Sequence, residues 1–395
     1  MASSADRILT THVGSLPRPD DLLPGLYAKT RGERVDEAEL DRRVAIAVAD
    51  IVRRQAETGI DIVGDGEQGK ASFSAYTHLR LGGLEPWARE GRGPRERTRD
   101  KLAFPGVYER IAENAARIRS VRGKAGAQPG RCVGPITYTG QAEVEKDIAA
   151  LKAAVEGVGI EDAFITALSP SNVEAQNENA YYPSQEEFLF ALADAMAVEY
   201  RAIVDAGFQV QIDDPRLATY YDTAPEASIE DCRRFIAQRI EAVNHALKGL
   251  PEDRIRFHTC YSVNVAPRIH DLELKHYIDL MLTIRAGQYS FEAANPRHEH
   301  EWKLWREVRL PDGKKILPGV ISHCVYQVEH PELVAERILR FAGAVGRENV
   351  IASSDCGFAT AADCDEVHPD VAWAKLAALV EGARMASHEL WGAGG

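Results

Sequence analysis

Nowhere in the 395 residues is there an apolar run approaching the roughly 20 residues needed to cross a bilayer. The opening MASSADRILTTHVGS lacks the basic and then apolar layout of a secretory leader, so the reading predicts a cytoplasmic protein without membrane partners. A basic excess is also missing: 47 Lys and Arg stand against 60 Asp and Glu, for a formal net charge of −13. A surface of that sign repels phosphate backbones, so no nucleic acid is expected as a partner. Cysteine is scarce, with six residues in all. In a large chain from a reducing compartment these are expected to be thiols or metal ligands rather than a disulfide frame. No glycine-rich phosphate loop stands early in the chain, which weighs against a doubly wound open sheet.

What is present is an alternation of two periodicities. ILTTHVGS (8–15) and GIDIVGDGE (59–67) read as strands, and DEAELDRRVAIAVADIVRRQAETG (36–59) between them reads as a helix. Asp36 and Glu39 open that helix and Gly59 stops it. Ser184 and Glu187 open another, and Pro331 starts a third. Strands are expected near residues 10, 62, 134, 210, 257, 290, 319 and 351, with 275–287 expected to be helical. The strands are short and apolar without strict alternation, as in a buried parallel sheet. Eight of them predict an α/β fold, a (β/α)8 TIM barrel spanning 1–395 as one domain, with an irregular excursion near 86–130. The mixed-charge run REGRGPRERTRDK (89–101) reads as a solvated loop.

In such a barrel the chemistry lies where strands end. RFHTC (256–260) ends a strand with His258 and Cys260, two apart and so on one face. Glu292 and Cys356 end two other strands. A His, Cys, Glu, Cys set suits tetrahedral Zn2+, and sulfur argues against magnesium or calcium. Cys132 and Cys232 read as structural, and Cys364 is unassigned. His12 and His323 are candidates for proton transfer, while Asp214 beside Pro215 reads as a cap. NPRHEHEW (295–302) reads as a helix start rather than a second metal site, with Arg297 either gripping an anion or in a surface ion pair.

The stretches TTHVGSLPRP, GDGE, YYPSQEEF, QIDDP, HTCYSVN, SFEAANPRHEHEW, LPGVISHCVYQVEHPELVAERI and NVIASSDCGF carry a resemblance. They resemble the C-terminal catalytic barrel of cobalamin-independent methionine synthase. The likeness is greater still to the short single-barrel members of that superfamily, which include epoxyalkane:coenzyme M transferase. The resemblance implies a zinc ion on His258, Cys260, Glu292 and Cys356. It also implies that an amino-acid thiol is held at Gly14, Ser15, Glu67 and Asp213. The tryptophan that stacks on folate in the synthases has no counterpart in GPITYTGQ (134–141), which argues against methyltetrahydrofolate as the donor. The expected function is zinc-dependent alkyl transfer, methyl above all, to a thiol such as homocysteine activated as a zinc-bound thiolate. The alternatives are an epoxide:thiol transferase of the coenzyme M type or a related C–S lyase, a zinc hydrolase, and a non-catalytic binder. The expected partners are a small-molecule thiol and an alkyl donor, with a homo-oligomer left open.

Overall fold

The computed structural model describes residues 4–87, 97–122, 130–261, 267–361 and 367–392, with side chains between 114 and 122 excepted. Cys364, most of the charged run 89–101 and the residues just after Tyr261 lie outside them. The described strands are β1 (Leu9–Thr10), β2 (Ile62–Gly64), β3 (Leu81–Pro86), β4 (Gly130–Tyr138), β5 (Asp162–Leu168), β6 (Asn177–Asn179), β7 (Gln209–Asp213), β8 (Ile255–Thr259), β9 (Gln288–Phe291), β10 (Lys315–Ile321) and β11 (Ile351–Ser354). Eight form one parallel sheet in the order β1-β11-β10-β9-β8-β7-β5-β2. Asp61 bridges the seam between β1 and β2. Its N–H donates to Thr10 O at 3.2 Å, and its carboxylate accepts the Thr10 N–H at 2.8 Å. The sheet is thus a nearly closed (β/α)8 barrel. Leu9, Ile62, Phe164, Leu317 and Ile351 fill one layer inside it. The Arg256 guanidinium lies over the Phe164 ring at 3.9 Å.

The helices start and stop where the capping residues indicate. Asp36 accepts the Glu39 N–H at the head of the helix Glu37–Thr58, and Gly59 closes it at φ +95°. Ser184 does the same for Gln185–Asp205, and Pro331 opens Pro331–Val345. The helix expected over 275–287 is only Ile278–Met281. Asn244 explains the loss, because its amide binds Thr283 O at 3.1 Å and Arg285 N at 2.8 Å, taking over backbone groups that a longer helix would pair. Among the described residues no helix is long and apolar enough to cross a membrane.

One barrel strand differs from the expectation. The strand near 134 is β4, and it lies outside the barrel, antiparallel to β3 and briefly parallel to β6. The third barrel strand is β5, DAFITAL. β5 is buried from Ala163 onward, as a strand covered on both faces must be, whereas β4 alternates buried with exposed positions. Pro135 removes a ladder donor from β4, so that part of the strand suits a sheet edge. Opposite it Gly83 takes φ +84°, and a Cβ there would meet Pro135 O at 2.5 Å. Only glycine fits this bulge.

The small sheet is fastened to the barrel through buried Glu199. Its carboxylate accepts from Tyr76 Oη at 3.1 Å and Tyr138 Oη at 2.7 Å, and pairs with Arg80 at 3.1 Å. Glu199→Ala leaves three buried polar groups short of a partner. It is expected to lower stability by about 3–5 kcal/mol, read by urea denaturation.

The charged run is not a solvated loop where it is described. Arg99 donates to the carbonyls of Tyr221, Ala224 and Ala227 at 2.7, 3.3 and 2.5 Å. Buried Asp100 accepts the N–H groups of Ile269 and His270 at 3.0 and 3.2 Å. The short helix Arg99–Ala103 thereby binds the segments after β7 and β8.

Candidate metal centre

β8 carries His258 and delivers Cys260 one residue past its end, while Cys356 follows β11 by two residues. The Nε2 or Nδ1 of His258 and the two sulfurs lie within 4.8 Å of one another, all three residues buried. The sulfurs are 3.6 Å apart, and Val13 from the first loop shares a buried cluster with the two cysteines. Ser290 Oγ sits 3.0 Å from His258 Nδ1, while Nε2 has no hydrogen-bond partner. Burial lowers the His258 pKa to about 3, so the ring is neutral. With Nδ1 engaged by Ser290, Nε2 is the ring nitrogen left free for a ligand. This is the arrangement of a ligating imidazole steadied from behind. The hydrogen bond that Cys356 donates to Cys260, and then burial, drive the Cys356 thiol well above its ordinary range. Two buried thiolates side by side are costly without a cation between them. An orphaned imidazole nitrogen and two sulfurs form a donor set that zinc fits.

Glu292 is adjacent but turned elsewhere. Its Oε1 accepts the Tyr261 N–H at 2.6 Å, its Oε2 accepts from the Asn295 amide, and Arg268 stands 3.8 Å from Oε2. Burial raises its pKa. Asp355, next to Cys356, takes the N–H groups of Ala293 and Ala294 on Oδ1 at 2.7 and 2.8 Å. The loop carrying Cys356 is thereby tied to the loop carrying Glu292. A Cβ at Gly319 would come within 2.1 Å of that same Oδ1, so glycine is required there.

Gly14, Ser15, Glu67 and Asp213 converge beside this cluster. Thr166 Oγ donates to Glu67 Oε1 at 2.9 Å, and a Cβ on Gly14 (φ +141°) would strike Thr166 Cγ2 at 2.6 Å. Ser15 is joined to the Cys356 loop: its carbonyl takes the Phe358 N–H at 2.8 Å and its Oγ the Ala359 N–H at 3.4 Å. Burial, and then the charge of Glu67, push Asp213 well above the usual carboxylate range. Glu67 Oε2 has no hydrogen bond, although Arg18 Nη2 lies 3.6 Å away. Lys70 Nζ binds Thr166 O at 2.6 Å. The sequence reading did not single out Arg18, Lys70, Ser290 or Arg268. Arg18 sat inside SLPRP, and Ser290 precedes Glu292 by two on one strand face.

The two histidines differ. His12 has both ring nitrogens occupied, with Gln55 Oε1 at 2.7 Å from Nε2 and the Gly14 N–H at 3.1 Å from Nδ1. It holds the first loop, and burial lowers it to about 4. His323 is wholly buried, and neither ring nitrogen has a partner. Burial lowers it to about 3, and its charge would act on His258. Asp214 stands at the N-cap of the helix Pro215–Thr223. Arg297 donates to Ile269 O at 2.9 Å, which uses it on the backbone rather than in an ion pair. Glu273, His300 and Glu301 also lie together. Glu301, however, already accepts from Leu274 N at 2.8 Å and His298 Nδ1 at 3.0 Å, and Glu273 pairs with Lys275. Cys132 and Cys232 are buried thiols, Cys132 on β4 and Cys232 on the helix Ile229–Ala246.

A family model described as the catalytic domain of cobalamin-independent synthase matches residues 92–381. The chain belongs to that family. It is 25% identical over 390 residues to a methionine synthase of Thermococcus kodakarensis, covering 96% of this chain and 94% of that one. It is 24% identical over 384 residues to one of Saccharolobus islandicus, covering 96% and 95%. Among solved structures, a B12-independent methionine synthase from Shewanella sp. W3-18-1 in complex with selenomethionine superimposes with a TM-score of 0.71 at 20% identity, covering 97% of this chain and 99% of that chain. A putative vitamin-B12 independent methionine synthase of Listeria monocytogenes gives 0.63 at 20% identity, covering 98% and 99%. At these identities the structural likeness carries the barrel alone.

Proposed function

We propose that this member of the family is a zinc-dependent methyltransferase whose acceptor is the thiol of an amino acid such as homocysteine. The observation that carries the reading is the contiguity of the His258, Cys260 and Cys356 donor set with the buried acidic pair Glu67 and Asp213. The names of its relatives, methionine synthases, agree with it. Zinc bound to His258, Cys260, Cys356 and, by the family resemblance, Glu292 would supply acidity, so that a neighbouring thiol loses its proton near neutral pH and stays nucleophilic.

The rest falls to the chain itself. Glu67 and Asp213 hold the ammonium group of the amino acid, and Gly14 and Ser15 let it approach the backbone of the first loop. His12 fixes that loop from behind and is a positioning residue. His323, uncharged and with both nitrogens open, is the candidate for proton transfer, as a relay that passes a proton on rather than a base that keeps it. The nearly closed barrel and the apolar side chain of Val13 beside the two cysteines keep bulk water off them.

Metal-loaded protein should bind homocysteine with release of about one proton, and homocysteine should slow zinc removal by a chelator. A sulfonated alkyl thiol should not. Protection by the sulfonated thiol and none by homocysteine would overturn the amino-acid assignment in favour of epoxide:thiol transfer. Turnover of substrate without any added thiol would point to a hydrolase.

A further inference from the structure

Around Glu292 the chain brings together a group of buried side chains that the ligand set does not use. Arg268 donates to Asp271 Oδ2 from Nε at 3.1 Å and from Nη2 at 2.9 Å, and the same Nη2 stands 3.8 Å from Glu292 Oε2. Asp271 Oδ2 also meets His298 Nε2 at 3.1 Å, and His298 Nδ1 meets Glu301 Oε2 at 3.0 Å. The His298 ring stacks on Tyr261 at 3.6 Å and 8°. The Tyr261 N–H, in turn, donates to Glu292 at 2.6 Å. The contacts thus run in a closed circuit from Glu292 through Tyr261, His298, Asp271 and Arg268 back to Glu292. The two acids flanking His298 raise its pKa to about 9 against the effect of burial, so it carries a charge at neutral pH. A cavity of about 210 Å3 is lined by the same Tyr261, Arg268 and Asp271 together with Tyr108 and Asp222.

We propose that Arg268, braced by Asp271 and His298, is a positioning residue that sets how strongly Glu292 competes for the metal, and thereby how readily a substrate thiol enters the ligand set. This rests on the reading of His258, Cys260 and Cys356 as a zinc centre. The physical argument has two parts that act in one direction. A guanidinium beside a carboxylate draws electron density from its oxygens and holds them toward itself, which makes Glu292 a weaker and more distant donor. A fixed cation near a metal site also opposes the metal's own charge. Without Arg268, Glu292 is freer to close on the ion and harder to displace. His298 matters because it holds the Tyr261 plane and the Asp271 carboxylate that aim Arg268.

The test compares Arg268→Met, Arg268→Lys and His298→Gln with the parent protein. In each, zinc affinity is measured by chelator competition, the ligand field from the visible spectrum of the cobalt(II)-loaded protein, and the homocysteine dissociation constant by titration. Because the partner removed is a cation that opposes both the carboxylate's donation and the ion's charge, Arg268→Met is expected to hold zinc about tenfold more tightly and homocysteine about tenfold less tightly, with altered cobalt bands before thiol is added. Arg268→Lys should restore most of both, since it keeps the charge. His298→Gln should move both in the same direction by less. A folded Arg268→Met, or His298→Gln if the first does not fold, with parental cobalt bands and parental affinities would sink the proposal. Parent protein that takes up no metal would instead sink the zinc reading beneath it.

Discussion

Cys356→Ser is expected to empty the centre. After dialysis the parent protein should retain about one zinc per chain, and the variant well under a tenth of that. Three buried donors converge here, and their ligand atoms span at most 4.8 Å. Serine replaces a sulfur that metal binding deprotonates outright with a hydroxyl that keeps its proton and binds zinc poorly. Losing a partner behind a ligand costs about 10–100-fold in affinity, and losing a ligand must cost more. Methyl transfer should fall by at least about thirtyfold, because free thiols are only a few per cent ionised at neutral pH. Cys232→Ser supplies the control. Its sulfur is buried on the helix Ile229–Ala246, so metal content should not change. Full zinc occupancy in Cys356→Ser, measured by atomic absorption, would remove the metal centre from the account.

That centre was legible because its signal is local. His258 and Cys260 are two apart at the end of a strand, a spacing that favours a shared face. Cys356 and Asp355 end a run of small and apolar residues that only a strand end explains. The capping residues Asp36, Ser184 and Pro331 were readable for the same reason, since each acts within one turn of itself. The third barrel strand was not. RCVGPITY and DAFITAL are both plausible strands, and nothing local says which one the closing barrel takes. The deciding facts are burial on both faces and the bulge at Gly83, and both belong to the tertiary fold. The donors around Glu292 were invisible for a related reason. Arg268 acts on a carboxylate 24 residues away, and His298 acts through a ring stacked on Tyr261. Sequence spacing cannot register a contact whose register is set by loops.

Asp213→Asn is expected to erase the discrimination between homocysteine and 4-mercaptobutyrate, the same thiol and carboxylate without the amine. Glu67 and Asp213 are both buried, and the charge of Glu67 helps keep Asp213 from ionising. An ammonium group between them offsets that repulsion and binds through charge-assisted hydrogen bonds. Each such bond contributes about 1.5–3 kcal/mol where a buried partner would otherwise go unmet. The parent protein should therefore prefer homocysteine by about 30–100-fold in the dissociation constant. In Asp213→Asn the ratio should fall below about fivefold, chiefly through weaker homocysteine binding, while 4-mercaptobutyrate binds as well as before or better. Gln211 Nε2 donates to Asp213 Oδ1 at 2.8 Å, and asparagine can still accept that bond, so the strand should not move. Zinc content should stay at one equivalent, which separates this loss from damage to the neighbouring His258. Glu67→Gln should lower the ratio similarly but also cost stability, since Glu67 faces Arg18 at 3.6 Å and Thr166 at 2.9 Å. If Asp213→Asn keeps the parental preference, the ammonium lies elsewhere and the acidic pair serves only to balance Arg18 and Lys70.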